Sequence, residues 1–259
     1  MQYHYCVTKK EDRKDMKKLF VLILTLCMVL TASGALGESV KVGTNAEFPP
    51  FEFIADDGSI QGFDIELISA ILDLAGIEYT VESMEFDALP AALAAGQIDI
   101  AIAGMTISEE KSQSVLFSDP YFSATQKIIV LADSPIKTVE DIKAGMKIGV
   151  QLGTTGDIYV TDSMEGIVCE RYSKALDAIM DMKNGRIDAV MVDSAPASVF
   201  ADEIEGLMVL EEMLSDEQYG IAVKPGNADL MDKINAGLAT LKENGGFDEL
   251  YGKYFETIE

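Results

Sequence analysis

The strongest constraint on the fold is the regular alternation of short apolar strands with helices over residues 40–255. In the first helix, Asp64 is a candidate N-cap, Gly76 follows the last turn, and the apolar residues share one face, at Ile65, Ile68, Ile71, Leu72 and Ala75. Strands are predicted over 40–43, 79–83, 98–103, 126–131, 147–150, 187–192 and 220–223, and the main helices over 64–75, 88–95, 154–163, 174–184, 229–243 and 246–255. This alternation indicates an α/β protein with largely parallel sheets.

One short pattern occurs twice and suggests two similar lobes. Residues 95–101 (AGQIDIA) and 184–190 (NGRIDAV) each end a helix at Gly and begin an apolar strand that runs into a polar turn. Because ligands of open α/β sheets bind at the carboxyl ends of strands, the two turns indicate two lobes that face one cleft. Asp99 and Asp188 lie at the strand starts, away from the cleft, and are interpreted as structural residues rather than a catalytic pair.

The first 37 residues have the features of a secretory signal peptide. Lys17 and Lys18 precede an apolar run over 19–30, and small residues follow it. The run is shorter than the ~20 residues that a bilayer span needs. We therefore expect export to the periplasm or the extracellular face, with cleavage after Ala35 or Gly37. Cys27 lies inside the apolar run, so lipid attachment there is not expected, and residues 1–15 are expected to belong to no fold.

Charge and composition exclude several classes of function. Residues 1–37 hold six Lys/Arg and three Asp/Glu, so the remaining 222 residues carry a net charge of −27, which repels nucleic acid. The sole His is His4, and Cys169 is the only Cys after residue 37. Histidine-based catalysis, a histidine metal site and an intrachain disulfide are therefore excluded for residues 38–259. Cys169 is interpreted as a packed thiol, and no metal or cofactor is expected.

Eight ordered segments carry a resemblance to a known family. Together, in this order and spacing, they resemble the extracellular solute-binding proteins of polar amino-acid ABC transporters, which have the type II periplasmic-binding fold. The resemblance covers residues 39–256. The segments are VGTNAEFPPFEF (42–53), GFDIEL (62–67), GMTISEEK (104–111), FSDPY (117–121), GVQLGTTG (149–156), DAVMVD (188–193), YGIA (219–222) and NGGF (244–247).

The resemblance implies two lobes, each a mostly parallel sheet flanked by helices, joined by β crossovers near Ile128–Leu131 and Tyr219–Val223. Lobe 1 would comprise residues 38–129 with 220–259, and lobe 2, inserted between them, residues 130–219. The implied protein is a monomer that closes by hinge motion on an amino acid or a similar solute and delivers it to a membrane permease.

The resemblance also implies ligand contacts in the first lobe. Phe48 and Phe86 would flank the ligand side chain, although both could instead be core residues. The backbone of Ala103 and Gly104 and the hydroxyl of Thr106 would meet the α-amino and α-carboxylate groups, and Gly104 permits close approach because it lacks a Cβ.

In the second lobe, Thr154 and Thr155 follow Gly153 and would form an anion site for the carboxylate at a helix start. Plain N-capping by either Thr is the alternative. Asp193 would pair with the α-ammonium group, unless it caps the helix at Pro196. Gln151 would contribute mainly its backbone.

Two positions depart from the family pattern. Lys111 stands where the family usually has Arg, whose planar fork holds a carboxylate through two parallel hydrogen bonds. Three interpretations of Lys111 are open. It holds the carboxylate more loosely than Arg would, the ligand is not a standard α-amino acid, or Lys111 is a solvated surface residue. Asn45 stands where many members have Asp, which favours a polar neutral or small ligand, although Glu47 could compensate.

Two rival functions remain open. The fold is shared with a cyclohexadienyl-dehydratase-like enzyme, for which Glu47 is the one candidate acid. A soluble ligand-sensing module is the other, and it would need a separate signalling partner because none is expected in this chain.

Overall fold

The computed structural model describes residues 39–256. The expected signal peptide, with His4 and Cys27, lies outside the described residues. The strands are β1 Val40–Thr44, β2 Glu47–Phe48, β3 Glu52–Ile54, β4 Ile60–Gln61, β5 Tyr79–Ser83, β6 Ile100–Ala101, β7 Leu116–Phe117, β8 Phe122–Ala124, β9 Gln126–Leu131, β10 Lys147–Gln151, β11 Val168–Tyr172, β12 Ala189–Asp193, β13 Leu207–Val209, β14 Glu217–Tyr219 and β15 Ala222–Val223. The α-helices in this range are α1 Phe63–Leu74, α2 Leu89–Ala95, α3 Thr155–Ser163, α4 Ala175–Lys183, α5 Ser194–Glu203, α6 Ala228–Asn244 and α7 Gly246–Phe255.

Most strands form two five-stranded sheets with the same topology. The first sheet has the order β5-β1-β6-β15-β7, and the second has the order β11-β10-β12-β9-β13. In each, the first three strands are parallel and the fourth runs antiparallel to both neighbours. Helices flank each sheet, so the expected two-lobed α/β architecture is confirmed.

The chain crosses between the lobes at a two-stranded ribbon. β8 and β14 pair in antiparallel fashion, with Phe122 opposite Tyr219. β9, where the first crossover was expected, pairs with β12 and β13 and is therefore a strand of the second sheet. Its residues 128–130 are fully buried. The place of β9 in the second sheet favours a lobe boundary upstream of the expected residue 129. We infer that lobe 1 comprises residues 39–121 with 220–256, and lobe 2 residues 125–216.

Asp64 does not cap α1, because its side chain turns inward. Gly62 occupies the N-cap position. The Asp64 carboxylate accepts hydrogen bonds from the Gly104 N–H at 2.9 Å and the Tyr121 hydroxyl at 2.7 Å. The helix start is thereby tied to the loop that follows β6.

Asp99 and Asp188 have the structural role that the sequence predicted. Asp99 accepts a hydrogen bond from the Lys41 N–H at 2.9 Å, and Asp188 accepts one from the Lys147 N–H at 2.7 Å. Each carboxylate thus ties the start of the third strand in its sheet order, β6 or β12, to the start of the neighbouring second strand, β1 or β10. The repeated sequence pattern becomes a repeated contact.

An aromatic cluster lies beside the ribbon and anchors the segment between β2 and β3. The buried Phe51 ring lies 4.8 Å from Phe122, 5.2 Å from Tyr219 and 5.2 Å from Phe255, measured between centroids. Such packing holds the preceding Phe48 in place at the edge of lobe 1. Within residues 39–256, no helix is long and apolar enough to cross a bilayer.

Candidate functional site

A cleft between the lobes collects every ligand-contact residue that the sequence predicted. It is lined by Asn45, Phe48, Glu52, Phe86, Ala103, Gly104, Thr106, Lys111, Gln151, Thr154, Thr155 and Asp193. The free space between these side chains is about 10 Å³, which is room for about one water molecule. An amino acid can therefore enter only if the lobes move apart.

Phe48 and Gly104 form a tight contact on the lobe 1 side of the cleft. Gly104 has φ +53°, and a Cβ at this position would lie 2.9 Å from Phe48 Cε1. Glycine is therefore required both by the backbone and by the aromatic wall. The Gly104 N–H donates to Asp64, so only the carbonyl of this residue remains to face a ligand.

Glu52 lines the cleft floor and was not predicted as a site residue. It is fully buried, and neither carboxyl oxygen accepts a hydrogen bond from an N–H or O–H group within residues 39–256. Burial, and then the charge of the neighbouring Asp64, raise the pKa of Glu52 well above its usual value. Burial also raises the pKa of Asp64 to about 6, although the bonds from Gly104 and Tyr121 oppose this. Burial and the charge of Asp64 thus both favour the neutral form of Glu52.

The start of α3 supplies donors from lobe 2. The Thr154 hydroxyl donates to the Gln151 carbonyl at 2.8 Å and accepts from the Asp157 N–H at 3.3 Å, so it acts as the helix cap. By contrast, the hydroxyl and N–H of Thr155 and the N–H of Gly156 have no hydrogen-bond partner in the described part of the chain. Thr155 is therefore the better candidate for holding a carboxylate.

Asn45 and Gln151 bond to each other across the cleft. The Gln151 amide donates to the Asn45 side-chain oxygen at 2.9 Å and to the Ser173 carbonyl at 2.9 Å, while the Asn45 amide donates to the Met84 carbonyl at 2.8 Å. The Gln151 side chain is thus used within the protein, and its backbone contribution to a ligand stays a prediction. Both residues join the lobes in this conformation.

Glu47 lies outside the cleft lining. Its carboxylate forms an ion pair with the Lys174 ammonium at 2.6 Å, which connects β2 of lobe 1 to the residue before α4 of lobe 2. In this conformation the Glu47 carboxylate is thus occupied by Lys174.

Lys111 and Asp193 bring opposite charges to the same end of the cleft. Burial lowers the pKa of Lys111, while the carboxylates of Glu110, Glu217 and Asp193 oppose that effect. Burial, followed by the charge of Glu217, raises the pKa of Asp193 to about 7. Asp193 stands at the N-cap position of α5 but makes no capping bond with its side chain, so its carboxylate remains for the cleft.

Thr106 presents only lone pairs to the cleft, because its proton is used. Its hydroxyl donates to Glu217 Oε2 at 2.6 Å. A hydroxyl in this state can accept a bond from an ammonium group but cannot donate to a carboxylate. This favours the α-amino group over the α-carboxylate as the partner of Thr106.

A second groove is larger, about 940 Å³, and also involves both lobes, but it lacks the chemistry of a ligand site. Its lining includes the exposed Ile54 and Leu176, and its Lys253 pairs with Glu66. No buried polar groups converge there comparable to those of the cleft, so the cleft is the candidate site.

Comparisons with known proteins agree with this geometry. Residues 40–257 match the family described as bacterial extracellular solute-binding proteins, family 3. ABC transporter arginine-binding protein 1 of Escherichia coli (strain K12) is 35% identical over 245 residues, which are 93% of this chain and 99% of that protein. The structure of the P235GK mutant of ArgBP from T. maritima has a TM-score of 0.80 and 44% identity, covering 84% of this chain and 95% of that one. The structure of an ancestral arginine-binding protein bound to glutamine has a TM-score of 0.80 and 42% identity, covering 84% of this chain and 97% of that one.

Proposed function

The chain belongs to family 3 of the bacterial extracellular solute-binding proteins, and from this membership we propose that its ligand is a cationic L-amino acid, with L-arginine as the first candidate. The protein is the substrate-binding component of an ABC importer: it binds an amino acid or an amino-acid-like solute in the cleft and delivers it to a membrane permease. Action as an exported monomer, after loss of residues 1–37, is part of the proposal.

The ligand proposal depends on an unmatched negative charge at the cleft floor. The α-carboxylate of an amino acid can pair with Lys111 and its α-ammonium group with Asp193. The Glu52–Asp64 pair then remains, and at pH 8 the Asp64 carboxyl, with a pKa of about 6, contributes a buried negative charge. A cationic side chain would neutralise this charge, whereas a neutral side chain would leave it buried and uncompensated. This outweighs the preference for a neutral ligand that Asn45 suggested.

Arginine fits this pair better than lysine in its hydrogen-bonding groups. A guanidinium group is planar and carries five N–H donors, which suit the two free oxygens of Glu52. Arginine is also the ligand in the names of two of the compared proteins.

Titration calorimetry with L-arginine and L-glutamine tests the ligand. At pH 8 we expect arginine to bind at least tenfold more tightly. Glu52→Gln should weaken arginine binding at least tenfold, while glutamine binding changes less than threefold. Glu47→Gln removes a carboxylate outside the cleft and should leave the arginine-to-glutamine ratio unchanged. Tighter binding of glutamine by the unmodified protein would contradict the ligand proposal and leave the family assignment intact.

The same titrations should depend on pH in a definite direction. A carboxyl group with a raised pKa is protonated in the empty cleft and must lose its proton to pair with guanidinium. Arginine affinity should therefore rise from pH 6 to pH 8, and this rise should be smaller in Glu52→Gln.

We also propose that binding occurs without chemistry. The compared relatives are binding proteins, and the acid nominated for a dehydratase, Glu47, is paired with Lys174. Arginine recovered unaltered after prolonged incubation with the protein would support this, and a converted product would contradict it.

A further inference from the structure

Glu217 is a buried carboxylate that belongs to the hinge ribbon rather than to the cleft lining. It lies on β14, opposite Ala124 of β8, and is 4% exposed. The sequence pattern does not predict a part for Glu217 in ligand binding, and Glu217 does not line the cleft. Burying an ionised carboxylate is costly unless its oxygens are hydrogen-bonded.

Three donors from different parts of the molecule satisfy this carboxylate. Thr106, from the lobe 1 loop after β6, donates to Oε2 at 2.6 Å. Gln126, the first residue of β9 in lobe 2, donates its amide to Oε1 at 3.0 Å, and Ser215 donates its hydroxyl to Oε1 at 2.6 Å. Glu217 thus holds groups of both lobes at the point where the chain crosses between them.

The same carboxylate acts on the two groups that would receive an α-ammonium group. It accepts the hydrogen bond that the Thr106 hydroxyl donates, so toward a ligand this hydroxyl can only accept a bond. Gln126 is also the register partner of Asp193 in the second sheet. The charged and titratable groups around Asp193 are Glu217, the Tyr219 hydroxyl and the Lys111 ammonium. Of these, Glu217 makes the cleft more negative at the place where the ammonium group would bind.

We propose that Glu217 is a positioning residue for the α-amino group of the ligand: it orients Thr106 as an acceptor, raises the negative potential beside Asp193, and connects both to the hinge. This rests on the proposed function, because it requires a ligand with an α-ammonium group. Glu217 itself does not contact the ligand. Its charge raises the pKa of Asp193, so ammonium binding should release a proton near neutral pH.

Glu217→Gln separates this role from a general structural one. The amide would donate to Thr106, whose hydroxyl would then turn its own proton toward the cleft and oppose an ammonium group. At pH 8 we expect L-arginine affinity to fall at least tenfold. The loss of affinity on acidification should move to lower pH, because Asp193 loses a neighbouring negative charge and its pKa falls. Glu165→Gln, which removes the same charge from an exposed loop, should change neither result.

A double-mutant cycle with Thr106→Val tests the connection directly. If Glu217 acts through Thr106, the affinity losses of the two single variants should not add in the double variant. The melting temperature of each variant identifies those that fail to fold. Glu217→Asp keeps the charge, so it should lose arginine affinity on acidification over the same pH range as the unmodified protein.

The outcomes distinguish the two proposals. The role of Glu217 would be overturned by unchanged arginine affinity in Glu217→Gln. It would also be overturned if the affinity losses of the two single variants add and the pH range of the affinity loss stays that of the unmodified protein. Absence of both arginine and glutamine binding in the unmodified protein would instead count against the proposed ligand class.

Discussion

Lys111 provides the only positive charge among the cleft-lining residues of the described chain. Its ammonium lies near three carboxylates, Glu110, Glu217 and Asp193, and burial lowers its pKa. A ligand carboxylate that enters the cleft would find other negative groups there and would need this charge to offset them. A point charge on a flexible stem can do this without the planar geometry of Arg.

Lys111→Met tests that role. Met keeps an unbranched side chain, one atom shorter, and removes the charge. We expect ligand affinity to fall at least tenfold, about 1.4 kcal/mol, in titration calorimetry. Lys233→Met removes the same charge from the exposed face of α6 and should have no effect. Unchanged affinity in Lys111→Met would place the ammonium outside the ligand contacts.

Individual site residues were predictable to different degrees. The family resemblance implied the eleven predicted residues, nine of them within the eight segments, and all eleven line the cleft. Glu52 and Glu217 were missed because an acidic residue in a short segment is normally exposed. Their burial is decided by packing against Asp64 in one case and by donors from residues 106, 126 and 215 in the other, and of these partners only Ser215 is near in sequence.

At the scale of elements, the repeated helix-to-strand pattern has an energetic role. Asp99 and Asp188 each fix the start of one strand against another through a backbone N–H. A hydrogen bond from a backbone N–H to a carboxylate stabilises a strand junction modestly, because the group it replaces, water, is also a good donor.

Asp99→Ala and Asp188→Ala should each lower the free energy of unfolding by about 1 kcal/mol. Urea denaturation measures this, and Asp133→Ala, at an exposed loop position, is the control. Because both aspartates lie at the strand ends away from the cleft, ligand affinity should remain unchanged. A large loss of affinity with normal stability would contradict the structural interpretation.

Long periodic elements were predictable and short ones were not. The helices α6 and α7 and the strands β5 and β9 lie within a residue of their predicted bounds. β2, β4 and β7 have two residues each, too few to show any periodicity. The ribbon strands β8 and β14 exist only because two distant segments meet. The crossover was expected at β9 because its sequence resembles that of any buried strand, and its membership of a sheet depends on its partners.

At the scale of the whole molecule, the two lobes touch through few polar contacts besides the ribbon. The Glu47–Lys174 ion pair and the Asn45–Gln151 hydrogen bond both span the cleft and would break when the lobes separate. Ligand affinity therefore depends on these contacts as well as on the ligand's own, since binding is favoured by whatever stabilises the closed state.

Lys174→Met should weaken arginine binding although Lys174 is not among the cleft-lining residues. Its ion pair is partly exposed, with side-chain accessibilities of 40% and 26%, so its contribution to closure is at most about 1 kcal/mol and the loss of affinity at most about fivefold. Lys147→Met is the matched control, because it breaks an ion pair with Glu170 inside lobe 2 and leaves the lobe interface unchanged. Small-angle scattering should show a larger radius of gyration for ligand-free Lys174→Met than for Lys147→Met, and the difference should disappear at saturating arginine. Equal affinities and equal radii for the two variants would mean that closure does not depend on the contact between Glu47 and Lys174.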